Sequence, residues 1–415
     1  MQSGSGSGFL QQLRAKGLAH WLWVLALTAL GVWIGHQISE QRLWTDVRYR
    51  IYQETFAATR VRGPLYPKRT ALVLVQDEEY WKGELAGRAP IRRDYLARLV
   101  EKLDAADVAV IALDFDLRSP VPDGSLVEHP AYLEETTRLR AAVKLVSVRR
   151  PVVLPAAVAF DAEGAYVEQS SIFQGFDFGG GLIHRGYLQL PYDLRRVPVG
   201  LELADGRVLD SFALAIVGAV DPTAHQRVAT HASDALPFAS YMTERDFAGT
   251  APTDVRLFSS AYVLAADSAE LDRSLSHKVV ILGAAWSRNG FASGARVDLH
   301  PTPAGTLPGA LIHANYVEAI LNERTYKPLS DQLVMAFEVL LVLAIAALLA
   351  LDTRPLWKAT LVAGTTVFFI LLSYFFLQNL GLFFDFFVPV VVLIGHVAVE
   401  KVLDWRHAAG HGPGR

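Results

Sequence analysis

The chain has 415 residues, 52% of them hydrophobic, and a formal net charge of −3. That balance gives no basic surface of the kind nucleic acid requires. There is no cysteine, which excludes disulfides, thiolate metal sites and a cysteine nucleophile.

In chain order, the Ser/Gly run at residues 3–8 reads as a flexible linker, natural or added. Residues 18–38 are the first of four apolar stretches; the others are 331–351, 357–377 and 382–403. Each approaches the ~20 residues with which a helix crosses a bilayer. Basic residues gather on the cytoplasmic side of short loops. Arg14 and Lys16 precede the first stretch, Arg354 and Lys358 flank the second link, and Lys401, Arg406 and Arg415 follow the fourth. Four spans put all three clusters on one side. The expected layout is a cytoplasmic segment 1–17, an outer domain 39–329 and a cytoplasmic tail 404–415. The expected location is a bacterial inner (plasma) membrane, multi-pass, with the main domain periplasmic. A cleaved signal peptide fits less well, because no small-x-small pattern follows the first stretch.

The outer region reads as α/β. Residues 70–76 (TALVLVQ) form an aliphatic buried strand, and 77–84 an acidic loop. Residues 92–106 place Tyr95, Leu96, Leu99, Val100 and Leu103 on one helical face. Residues 108–113 (VAVIAL) are a second strand, so a βαβ unit with parallel pairing and a right-handed crossover is expected. A helix at 131–146 and a strand at 152–157 follow. The glycine-rich 176–186 segment reads as a bend. Residues 187–203 read as two strands around 191–196. Residues 211–220 read as a buried helix capped by Asp210 or Ser211. Residues 278–282 (KVVIL) form the last core strand, ending at Gly283. Pro308-Gly309 opens a helix over 310–322.

The order of several short matches carries a resemblance. These are Leu43, Asp46 and Arg48 after the first apolar stretch, Arg93 and Tyr95 on the first helix, and Asp114 after the second strand. Then come Arg195-Arg196, Ser211 to Leu214, Lys278 to Gly283, Thr302-Pro303, Pro308-Gly309 and His313-Ala314-Asn315. From Leu43 to about Asn322 the chain resembles the type-two CHASE domain, an extracytoplasmic sensory domain associated with cyclases and histidine kinases. The resemblance implies a signal-transduction input, a receptor. The family's output module usually follows the last span, and residues 400–415 are too short for one. It departs from the family at Val75 to Glu79 and at Arg88 to Ile91.

Candidate site residues follow from the sheet. Ligands of open α/β sheets bind outside the strands' carboxyl ends. Asp77, Glu78, Asp114, Asp116, Arg118, Gly283 and Trp286 follow three such strands and form the expected ligand crevice. The plainer reading pairs Asp114 with Arg93 or Arg118. Asp298, His300 and His313 have ligand chemistry, but no compact metal spacing. His313 opens a helix read as amphipathic. Ser211 lacks the Gly-x-Ser-x-Gly elbow, and Gly179 to Gly181 lack the lysine of a phosphate loop. In the second apolar stretch Glu338 is costly to bury and would face a bundle interior. Ser373 and Tyr374 sit at similar depth, able to hydrogen-bond to it as a staple or a coupling hinge.

The reading is a non-enzymatic membrane-anchored sensor, without cofactor or metal. It would relay an extracytoplasmic ligand or protein signal through its helices to a separately encoded cytoplasmic effector, with a homodimer allowed. The lipid bilayer is its expected surroundings, and nucleic acid is not a partner. The alternative is a non-catalytic scaffold docking an envelope protein.

Overall fold

The computed structural model describes residues 41–59, 66–119, 130–230, 236–237, 241–251, 254–290, 296–325 and 355–380, with isolated positions before 41 and between 332 and 340. The chain forms two units, residues 56–326 and residues 1–55 with 327–415.

The larger unit is built on one parallel sheet. Strand β1 (Thr70–Val75) is aliphatic and buried on both faces, as strands between two helical layers are. A short π-helical turn, Glu78–Lys82, replaces the expected acidic loop. Helix α2 (Arg93–Ala105; α1 is described below) buries the five apolar residues that its spacing placed on one face. Then come β2 (Val110–Leu113), α3 (Pro130–Ser147) and β3 (Val152–Ala156). A hairpin, β4 (Val158–Phe160) with β5 (Tyr166–Glu168), precedes β6 (Ile183–Tyr187). The glycine-rich segment read as a bend therefore ends as a sheet strand. Gly186 is required there, because a β-carbon would stand 2.6 Å from the Phe212 backbone. Short strands β7 (Arg196–Val197), β8 (Gly200–Glu202) and β9 (Val208–Asp210) lead to helix α4 (Phe212–Val220). The Ser211 side chain caps α4 by accepting from the Leu214 N–H. Helix α5 (Pro222–Ala229), β10 (Leu236–Pro237), α6 (Glu244–Ala248), β11 (Leu257–Ser259), α7 (Ser260–Ala265) and α8 (Ser268–Leu275) complete the approach to β12 (Val279–Ala284). A hairpin of β13 (Leu299–Thr302) and β14 (Gly305–Pro308) then delivers helix α9 (Gly309–Leu321).

The sheet order is β11-β1-β12-β2-β3-β6, and its pairs are all parallel. The expected βαβ unit is thus correct in its elements, but not in their adjacency. Strand β12, two hundred residues on, lies between β1 and β2. Helices α2 and α3 pack together, and α2 also packs on α7 and α8; α4 and α9 pack together against β strands from the opposite face.

Helix α9 is buried along its whole length rather than amphipathic. The fully buried Glu318 on it accepts at Oε1 from the N–H groups of Arg69 (2.6 Å) and Thr70 (2.7 Å) and from the Thr70 hydroxyl (3.0 Å). Its Oε2 accepts from the Asn322 amide at 2.6 Å. This ties the start of β1 to α9, so the carboxyl ends of β1 and β12 and the first turn of α9 keep one register.

In the smaller unit, helix α1 (Arg42–Thr59) meets helix α10 (Pro355–Leu380). The buried hydroxyls of Tyr52 and Ser373 lie 2.6 Å apart, and the Tyr52 and Tyr374 rings 6.1 Å apart. Ser373 therefore finds a partner on α1. Glu338, its expected partner, lies outside the described residues. The third apolar stretch coincides with α10. The first stretch is described at isolated positions, the second at a few, and the fourth lies outside the described residues. Among the described residues no helix is long and apolar enough to cross a membrane.

Candidate ligand crevice

A crevice of about 640 Å³ opens at the carboxyl end of the sheet. Asp114, Phe115 and Asp116 come off β2, Ala284 and Trp286 off β12, and Leu188, Gln189 and Leu190 off β6. Tyr80 reaches it from the π-helical turn, and Ala89 to Ile91 from the loop before α2. Asp298, His300 and His313 close its base. The volume lies within the ~300–1,000 Å³ range of small-molecule sites.

Asp114 is buried, and its Oδ2 has no hydrogen-bond partner. Neither expected arginine reaches it. Arg93 turns to the Thr136 hydroxyl and the Tyr132 carbonyl. Arg118 pairs with Asp116 and donates to the Gln169 side-chain oxygen Oε1. Burial therefore raises the Asp114 carboxyl well above the usual carboxylate range, and the nearby Asp298 charge raises it further. Both causes favour the protonated carboxyl over the carboxylate.

His313 sits below, buried, with Nδ1 unpartnered. Its pKa is lowered to about 4, chiefly by burial, with Asp298 opposing and His300 adding to the shift. Asp298 has a positive φ of 53°, a conformation Asp tolerates better than most residues. That bend turns its carboxylate onto the start of α9, where a β-carbon on Gly309 would stand 2.0 Å from Oδ2. Oδ1 meets His300 Nε2 at 2.8 Å. Helix start and carboxylate are electrostatically matched there.

The aromatic wall is Trp286 stacked on Tyr80, ring centroids 4.0 Å apart and planes 6° off parallel. Asp77 holds the turn after β12 in place. Its Oδ1 accepts from the Ser287 N–H (2.6 Å) and hydroxyl (2.7 Å).

Of the seven residues expected at the crevice, Asp114, Asp116 and Trp286 line it. Asp77 positions the Trp286 turn. Arg118 lines a neighbouring hollow of about 320 Å³, shared with Asp116. Glu78 points to solvent and pairs with Lys82 at 2.7 Å, so it is not a crevice residue. Its neighbour Glu79 turns inward instead and accepts from the Gln76 and Ala261 N–H groups. Gly283 admits helix α9 rather than a ligand, since a β-carbon there would stand 2.4 Å from that of Ala310.

Sequence reasoning missed Tyr80, Gln189 and the joining of Asp298, His300 and His313 to Asp114. The last three were singled out for their chemistry, but nothing in their spacing revealed that the β13–β14 hairpin and α9 bring them to the cavity that Asp114 lines. No cluster of three or more His, Asp or Glu fit to hold a metal occurs among the described residues.

Sheet and crevice define an open parallel α/β domain with a ligand-sized hollow at its strand ends. A family model described as "CHASE2 domain" matches residues 20–351, and the chain belongs to that family. The family makes it a carrier of an extracytoplasmic sensory module. Searches found no matching curated protein and no matching solved structure.

Proposed function

We propose that the protein is a membrane-anchored extracytoplasmic sensor in which the crevice at the carboxyl ends of β2, β12 and β6, beside α9, is the sensing site. The observation that carries this is a pair of buried, unpartnered polar atoms, Asp114 Oδ2 and His313 Nδ1, in the wall of one ligand-sized hollow. Buried polar groups are nearly always satisfied, and an orphan calls for a functional reason. A ligand that satisfies both would favour one arrangement of α9 against the sheet, which is the differential contact a signal needs. Anchoring rests on the four apolar stretches and their flanking charges. On this reading the helices carry the signal to a separately encoded cytoplasmic effector, and the chain itself catalyses nothing.

The test is a thermal-shift screen of the full chain in detergent against a library of small metabolites, repeated on Trp286→Ala and Asp114→Asn. Hits that stabilise the unaltered chain should lose their effect in both variants. Hits that shift all three alike contradict the site.

A further inference from the structure

Resting on that reading of the crevice, we infer that its ligand is a small organic cation, a protonated amine on an apolar body. The crevice wall offers acceptors. Burial holds His313 in its neutral form, with a pKa lowered to about 4, so its ring carries an acceptor lone pair rather than a second N–H. Asp114, Asp116 and Asp298 contribute carboxyl groups to the lining, and the Asp114 Oδ2 is buried without a partner.

Donors are scarce. Among the described lining residues there is no Lys or Arg. The Tyr80 hydroxyl is turned to the carbonyls of Gly87 (3.3 Å) and Arg88 (3.2 Å). An anionic ligand would meet three carboxyl groups, of which Asp116 is offset by Arg118, and the repulsion grows in a partly desolvated site. An apolar ligand would leave both orphaned atoms as they are. An ammonium brings three N–H donors and a positive charge. The Tyr80–Trp286 stack provides an aromatic face suited both to the apolar body and to the cation. A cation beside Asp114 would favour its ionised form and gain it as a counter-ion.

The experiment compares three molecules of one shape and different charge: phenethylamine, 2-phenylethanol and 3-phenylpropanoate. Each is titrated calorimetrically into the full chain in detergent, and into the isosteric Asp114→Asn and the smaller aromatic Trp286→Phe variants after their melting temperatures are checked. The expected result is binding of the amine at least tenfold tighter than of the other two, weakened tenfold or more by Asp114→Asn. If the alcohol or the carboxylate binds as well as the amine and is weakened by Trp286→Phe, the cation assignment is overturned while the crevice remains the site. If the amine binds all three proteins equally, both are overturned. If none of the three binds, the amine assignment falls, and the library screen decides the sensing reading separately.

Discussion

Gly283→Ala should destabilise the domain by driving β12 and α9 apart. The strand residue has no positive φ to protect, so the whole effect is steric. A β-carbon at 283 would lie 2.4 Å from the Ala310 β-carbon, well over 1 Å inside normal contact. Helix α9 cannot simply retreat. Its start is held by the Gly309 N–H to the Asp298 carbonyl (2.9 Å), and Glu318 fixes its far end to β1. Overpacking of this kind costs about 1–3 kcal/mol, and the upper part of that range applies when both ends are fixed. Removing the opposing methyl with Ala310→Gly costs about 0.8 kcal/mol for the lost burial, and somewhat more for helix propensity. In the double variant the methyl has only changed sides, so it should be no less stable than Ala310→Gly alone. The coupling is then about 2 kcal/mol, far outside the few tenths expected of independent sites. Thermal melting of the four proteins in detergent reads it, at about 2 °C per kcal/mol for a domain of this size. A Gly283→Ala protein that melts like the unaltered chain, or a double variant with additive losses, refutes the close approach of α9.

Glu318→Leu should cost about 4 kcal/mol or more, since it strands two backbone N–H groups and a hydroxyl in the core. Glu318→Gln keeps the acceptor and should lose less than half as much; equal melting temperatures for the two contradict the clamp. Two opposed pH effects should also separate. Below 6.5 the unfolded chain takes up a proton at position 313 that the folded chain refuses until about 4. Stability should therefore fall by about 3 kcal/mol as pH drops through that window. Replacing His313 with Gln should bring its largest relative gain at the acid end. Asp114 acts the other way. Its folded pKa is raised, so its contribution is complete below 3.8 and is lost as pH rises through the folded value. The relative gain from Asp114→Asn should grow with pH, and a difference flat with pH in either variant contradicts the assignment.

Local pattern was legible where it was strong. Aliphatic runs at 70–75, 110–113, 152–156 and 279–284 became the four central strands, and the five-residue apolar face of α2 is buried as its spacing required. Of the two caps expected for α4, Asp210 or Ser211, the structure uses Ser211. What sequence could not carry was long-range order. Nothing local shows that β12 inserts between β1 and β2, and that insertion brings Trp286 against Tyr80 and Asp298 beneath Asp114. Short elements such as β11 and the π-helical turn carry too few residues for periodicity to speak. Gly283 shows the limit most clearly. A small residue at a strand end signals close approach, but only the fold says that the approaching group is Ala310. In the same way Ser373 announced a polar contact, and the structure gives Tyr52 as its partner.

The central claim is an outward-facing crevice on a membrane-held domain, and one introduced thiol tests it. The chain has no cysteine, and the exposed Gln189 sits on the crevice rim. A Gln189→Cys chain should react with a membrane-impermeant maleimide in intact cells whose outer membrane has been permeabilised. Labelling that appears only after the inner membrane is broken would contradict the account.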